Sequence, residues 1–200
     1  MNAAGAEQAV TAAQAPLEDW RALDWRMLLP TGELRHVVYV GDAAGPGVAA
    51  LSTLVSELQI LPMVRAAAAS PTGADVVVVA DARGCRDEEM RRWLTALRPG
   101  GWLVLPVRAR RLRPASGSRA RARRCGFASV AAYWNAPSFD RCSYVVSVDD
   151  RHGIRAVLAR HQGVRLGRAK AAAARALLAG GAFGLVARDV IVIAQRPPDE

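Results

Sequence analysis

The stretch HVVYVGDAAGPGVAALSTLVS, residues 36–56, decides how this chain folds. Residues 36–40 hold three valines and a tyrosine with no polar alternation, the pattern of a short strand buried on both faces. Residues 41–47 bring together Gly41, Gly45, Pro46 and Gly47, the composition of a loop. Residues 48–56 then read as a helix. Strand, glycine loop and helix form one unit. Glycines in such a loop let the backbone approach a ligand closely, and the helix start offers free amides.

The same grammar continues outward. Upstream, Leu17, Trp20, Leu23, Trp25, Leu28 and Leu29 recur near helical spacing and predict an amphipathic helix over 16–29, stopped by Pro30. Downstream, 58–61 predict a second strand, and Pro62 suits the first turn of a helix through 69. DVVVVA, 75–80, is again a doubly buried strand. Residues 87–97 predict a helix with acids early and arginines later, as its dipole favours. Pro99, Gly100 and Gly101 break it, and 102–107 form the next strand. Ser118 is the expected N-cap of a helix through 124, ended by Cys125 and Gly126. Strands follow over 128–134 and 143–148. Asp149 or Asp150 caps a helix through 161, a further helix spans 167–178, and a last strand lies within 186–194. This alternation predicts an α/β fold with a mostly parallel sheet, helices on both faces, and a ligand crevice at the carboxyl ends of the strands. The chain's 200 residues suit one domain, expected over 16–197. The Ala- and Gln-rich residues 1–15 are expected to form a disordered tail.

The chain has 27 basic and 18 acidic residues, a formal charge of +9, and Lys170 is its only lysine. Eight arginines fall between 108 and 124 with no acid among them, so the rest of the chain is close to neutral. No aromatic residue interleaves with them, which removes the stacking platform of a single-strand nucleic-acid binder. Nucleic acid is therefore not the expected partner. No apolar run approaches the roughly 20 residues that span a bilayer. The first fifteen residues contain no Lys or Arg and lack the basic region of a signal peptide. Cys85, Cys125 and Cys142 form no CxxC pair, so no metal site is expected, and reduced thiols fit a cytoplasmic protein. His36, His152 and His161 lie far apart in sequence and are expected in surface or packing roles. HExxH, GKS/GKT and GxSxG patterns are absent, which removes metalloprotease, P-loop and α/β-hydrolase readings.

Several segments carry a family resemblance. VVYVGDAAGPGVAAL (37–51) is similar to the first motif of class I S-adenosylmethionine-dependent methyltransferases, VLDLGxGxG followed by a helix. LTALRPGGWLVL (94–105) resembles the helix, turn and fifth strand of that family, where LRPGG recurs. GADVVVVADA (73–82) resembles its fourth strand, CGFASVAAYW (125–134) its sixth and DVIVIAQRP (189–197) its seventh. Together they cover roughly 34–197, and LRPGG is the specific one. The resemblance implies a seven-stranded Rossmann-like sheet with an antiparallel last strand, and S-adenosylmethionine as cofactor.

Carried over by position, Gly41 matches the first glycine and Gly45 the later one. Asp42 and Ala44 take the variable positions, and Ala43 stands where the family usually has its middle glycine. With Gly47 these residues form the cofactor loop that the resemblance implies. The family's ribose-holding acid follows the second strand, where this chain offers Glu57, or Gln59. A third strand should come next, yet only about ten residues separate Pro62 from the loop before Asp75. Asp81 closes the fourth strand and is the implied general base. Trp134 and Asn135, with Ser138 and Phe139, are the expected substrate-facing loop. Arg108 and Arg110, at the rim of the crevice, point to an anionic substrate, and Arg119 to Arg124 read as a solvated helix face.

Two functions remain open on these residues. One is a small methyltransferase acting on a small, anionic molecule. The other is a non-catalytic, methyltransferase-like accessory or binding subunit that has lost part of the cofactor pocket and serves a partner enzyme.

Overall fold

The computed structural model describes residues 24–30, 34–45, 47–62, 71–80, 85–108, 114–136, 144–160, 165–181, 183, 187 and 189–199. The expected tail, the expected helix over 62–69, Asp81, Arg110, Ser138, Phe139, Cys142 and His161 lie outside them. Seven strands appear among the described residues: β1 (His36–Val40), β2 (Glu57–Leu61), β3 (Ala74–Val79), β4 (Leu97–Arg108), β5 (Val130–Ala136), β6 (Tyr144–Ser147) and β7 (Asp189–Gln195). They join in the order β2-β1-β3-β4-β7-β5-β6. β1 is parallel to β2 and β3, and β3 to β4. β7 lies antiparallel between β4 and β5, so β5 runs in the direction of β4. The mostly parallel sheet with an antiparallel last strand is therefore observed, and β6 adds a second antiparallel strand beside β5.

The sheet reaches seven strands in the segments expected from the sequence, but differently from the family pattern. Among the described residues no strand follows β2 in sequence before β3, and β2 is an edge strand. β6, hairpinned onto β5, extends the opposite edge.

Both faces of the sheet are covered. On one face Val38, Val40, Val77, Leu103, Leu105 and Val192 pack under α2 (Asp87–Ala96), α3 (Pro114–Arg124), α4 (Arg151–Arg160) and α5 (Arg165–Ala179), which contribute Met90, Trp93, Ala122, Ile154 and Leu178. On the other, Val37, Tyr39, Val76, Val104, Ile191 and Ile193 meet Val48 and Leu51 of α1 (Val48–Leu54), and Trp25 of a 3-10 helix over Asp24–Leu28. Of the amphipathic helix expected over 16–29, residues 16–23 lie outside the described residues, and 24–28 form this 3-10 helix. The alternation within each strand assigns these faces, because successive side chains point to opposite sides.

Three boundaries differ from expectation for physical reasons. β4 starts at Leu97 rather than at 102. The pairing steps from Ala74–Leu97 to Val76–Trp102, so the Arg98–Gly101 turn is a bulge inside the strand. Gly100 adopts φ 76°, and a Cβ on Gly101 would meet the carbonyl oxygens of Arg98, Ala74 and Asp75 at 2.9, 3.0 and 3.1 Å. The helix expected from Ser118 starts a turn earlier, at Pro114, a residue suited to a first helical turn. Asp150, not Asp149, caps α4: its Oδ1 accepts from the backbone N–H groups of His152 and Gly153, both at 3.0 Å.

Candidate functional site

The carboxyl edge of the sheet gathers the ends of β1 to β5 and the start of β7. The glycine loop leaves β1 there. Gly41 N–H donates to the Leu61 carbonyl at 2.9 Å, and Gly45 N–H to the Asp42 carbonyl at 2.9 Å. Asp42 Oδ1 accepts from Ala44 N–H at 3.0 Å, an Asx turn that shapes the arc. Gly47, at φ 86°, turns the chain into α1. The side chains of Asp42, Ala43 and Ala44 are exposed, so the Ala43 methyl group displaces nothing in the core.

The inner side of the loop is closed by the protein itself. A Cβ on Gly41 would lie 2.8 Å from Ala80 Cβ and 2.9 Å from Tyr39 Cε1. On Gly45 it would lie 2.8 Å from both the Asp42 carbonyl and the Tyr39 hydroxyl. Both glycines are thus demanded by packing around Tyr39. That phenol is buried, and burial, then the nearby Asp42 carboxylate, raises its pKa. Tyr39 went unnoticed in sequence; the one signal was a hydroxyl-bearing ring in a run of valines.

Glu57 is a correction. It opens β2 and pairs with His36, the first residue of β1, while Leu61 pairs with Val40 beside the loop. Four residues of strand, about 13 Å, separate it from the loop. Glu57 therefore sits at the amino edge, and Gln59 at mid-strand. The amino edge has its own acid, Asp75. Its Oδ2 accepts from Arg35 and His36 backbone N–H groups, each at 2.8 Å, and its Oδ1 pairs with Arg98. Burial pushes its pKa up, but those two N–H groups and the Arg98 guanidinium outweigh burial and hold it below the usual value. This cluster ties the starts of β1 and β4 to β3 and lies opposite the carboxyl edge.

Trp134 and Asn135 do not line one surface. Trp134 faces the four-helix side, its ring edge-on to Phe183 at 5.0 Å. Asn135 faces the other side with Tyr133. It is 2% exposed, and among the described residues its Oδ1 has no hydrogen-bond partner. Arg108 ends β4 at the carboxyl edge, directly opposite Asp189 in the β4–β7 register. The sequence reading passed over Asp189, an acid that opens a strand.

The helical arginines divide. Arg123 and Arg124 are exposed, as expected of a solvated face. Arg119 and Arg121 are not: Arg119 pairs with Asp149 at 2.9 Å, and Arg121 pairs with Asp87 at 2.9 Å and donates to the Cys85 carbonyl. They bind α3 to the start of α2 and to the β6–α4 turn. Cys85 and Cys125 are buried thiols, and among the described residues no His, Cys, Asp and Glu cluster suits a metal ion. Among the described residues, no helix is long and apolar enough to cross a membrane.

No protein-family model matches the chain, and no curated protein matches it. Solved structures do. A SAM-dependent methyltransferase from Archaeoglobus fulgidus superimposes with TM-score 0.53 at 8% identity, over 89% of this chain and 94% of that one. A SAM-dependent methyltransferase from Thermotoga maritima, described as a possible histamine N-methyltransferase, gives 0.52 at 13% identity, over 94% and 92%. Phosphoethanolamine N-methyltransferase 2 from Haemonchus contortus, solved with S-adenosyl-L-methionine, gives 0.52 at 10% identity. The match covers 90% of this chain but only 53% of the Haemonchus chain. At these identities the likeness shows the fold: this chain has the class I methyltransferase fold.

Proposed function

We propose that this chain is a small methyltransferase that takes S-adenosylmethionine at the 41–47 loop and holds a small-molecule acceptor beside it at the carboxyl edge. The observation behind this reading is the placement of an exposed arc, Asp42, Ala43 and Ala44, at the carboxyl edge of a methyltransferase-type sheet. Residues that lack a Cβ at Gly41 and Gly45, with Gly47 at positive φ, give the backbone the close turn that a nucleoside-bearing cofactor needs. The fit is to the outer arc of the loop, because Tyr39 already fills its inner side. Asp42, Ala43 and Gly45 would hold the cofactor by backbone contact, and residues beyond Leu61, not Glu57, would meet its ribose. When bound, that cofactor supplies an electrophilic methyl group.

The chain's own part is to bind and align, and alignment alone accounts for much of the rate in a displacement between two bound partners. Arg108 ends β4 at the carboxyl edge, with Arg110 two residues on in sequence, and Asn135 is the last residue but one of β5. Asp81, two residues past the end of β3 in sequence, would take a proton from the acceptor.

The alternative, a non-catalytic relative that serves a partner enzyme, draws on one specific observation. The space under Gly41 and Gly45 is occupied by Tyr39, and the strand expected between β2 and β3 is not among the described elements. Calorimetric titration of the full chain with S-adenosylmethionine and S-adenosylhomocysteine separates the two. Saturable binding of both is expected of the enzyme, and no heat at millimolar ligand leaves only the non-catalytic reading.

A further inference from the structure

Asn135 is out of keeping with its surroundings. Its neighbours along β5 are Trp134 and Ala136, its partner on β6 is Val145, and a position this buried is ordinarily aliphatic. Burying an amide acceptor without a donor is costly, and each such group in a native fold calls for an explanation. Val145, opposite on β6, has no side-chain donor. The β5–β7 ladder, continued one residue past Trp134 and Val190, sets Asn135 beside Asp189. An ionised carboxylate only accepts, so it cannot satisfy Oδ1. Tyr133 and Ile191, paired across the same two strands and on the same face, provide an apolar wall next to this polar spot.

From this arrangement we infer that Asn135 anchors the methyl acceptor by taking a hydrogen bond from its N–H or O–H group. The acceptor is then an amine or alcohol with an apolar body that lies along Tyr133 and Ile191. The inference rests on the methyltransferase reading only for the word "acceptor"; the donor-binding site stands by itself. It replaces the anionic substrate expected from Arg108. The β5–β7 ladder sets an acid, Asp189, beside Asn135, and the β4–β7 register gives the Arg108 position that same acid as its partner.

The test uses the full chain, wild type and Asn135→Leu, in two measurements. Thermal unfolding without ligand should leave the leucine variant as stable as wild type or more stable, because an unpartnered acceptor is removed. A fall of several degrees would show that protein groups hold the amide, and would overturn the proposal. Binding is then followed by calorimetry with 2-phenylethylamine and with phenylacetate, which share a ring and differ in offering a donor or an anion. The amine should bind and the carboxylate not, and the leucine variant should lose amine affinity at least tenfold. No amine binding, preference for phenylacetate, or unchanged affinity in the variant would each sink the proposal. Amine binding that depends on Asn135 in a chain that takes no S-adenosylhomocysteine would keep the site and discard the methyltransferase reading. Cofactor binding with no effect of the variant would do the reverse.

Discussion

Tyr39 and Gly41 are packed so closely that the ring edge lies 2.9 Å from where a Cβ on Gly41 would stand. The relationship gives the glycine loop a structural reason for its composition, separate from any ligand. Gly41→Ala should destabilise the fold by about 1–3 kcal/mol, the usual range for forcing a methyl group into filled space. Urea unfolding followed by fluorescence measures it. A midpoint equal to wild type would mean that Ala80 and Tyr39 move aside freely and that the packing account is wrong.

Asp75 makes the fold sensitive to acid. Its folded pKa lies below the unfolded value of 3.8. The carboxylate's contribution is therefore complete above that value and is lost as the pH falls through the lower folded one. Asp75→Ala should cost about 2–3 kcal/mol at neutral pH, since two backbone donors and Arg98 lose a buried partner. The loss of stability that wild type shows below about pH 4 should shrink in the variant. Denaturation curves at pH 3 and pH 7 for both proteins test this, and equal slopes of stability with pH would exclude Asp75 as the cause.

The Cys85 thiol should be inert in the native state. Burial, then the Glu89 carboxylate, pushes its pKa up to about 12 against the pull of Arg121. At pH 8 it carries almost no thiolate, the reactive form. Iodoacetamide labelling read by mass spectrometry should leave Cys85 unmodified in native protein and modify it in urea. Because the folded pKa is the higher one, the thiol's contribution to stability is intact below about 9 and lost as the pH rises toward 12. Native labelling at pH 8 would contradict the burial of this group.

The strands were legible wherever a buried run announced itself. HVVYV and DVVVVA each fill an interior position, and their valines have no polar residue to set a face. What the sequence hid was position along and across the sheet. Glu57 borders the strand expected over 58–61, but which end of β2 meets the loop depends on the pairing of Glu57 with His36. Trp134 and Asn135 were grouped as neighbours, and the two-residue period of a strand sends them to opposite faces. Ser118 was a sound cap by composition, yet Pro114 lies earlier and Gly117 meets nothing within 4 Å, so the helix runs through both. Arg119 and Arg121 looked like solvent-facing charge because their partners, Asp149 and Asp87, are about thirty residues away along the chain.

β7 has a consequence for how the molecule is made. It is the last described strand in sequence, yet it lies between β4 and β5. Arg196, just beyond it, donates its backbone N–H to the Gly101 carbonyl at 2.8 Å and its guanidinium to the Leu97 carbonyl at the end of α2. During synthesis the β5–β6 hairpin therefore has no strand to dock on until 189–195 has emerged. The half built on β1 to β4 waits with an open edge, the kind that invites mispairing. Emergence of this one segment closes that edge and recruits the hairpin in a single step, so β1 to β6 should become protease-resistant together, once 189–195 is out, rather than strand by strand.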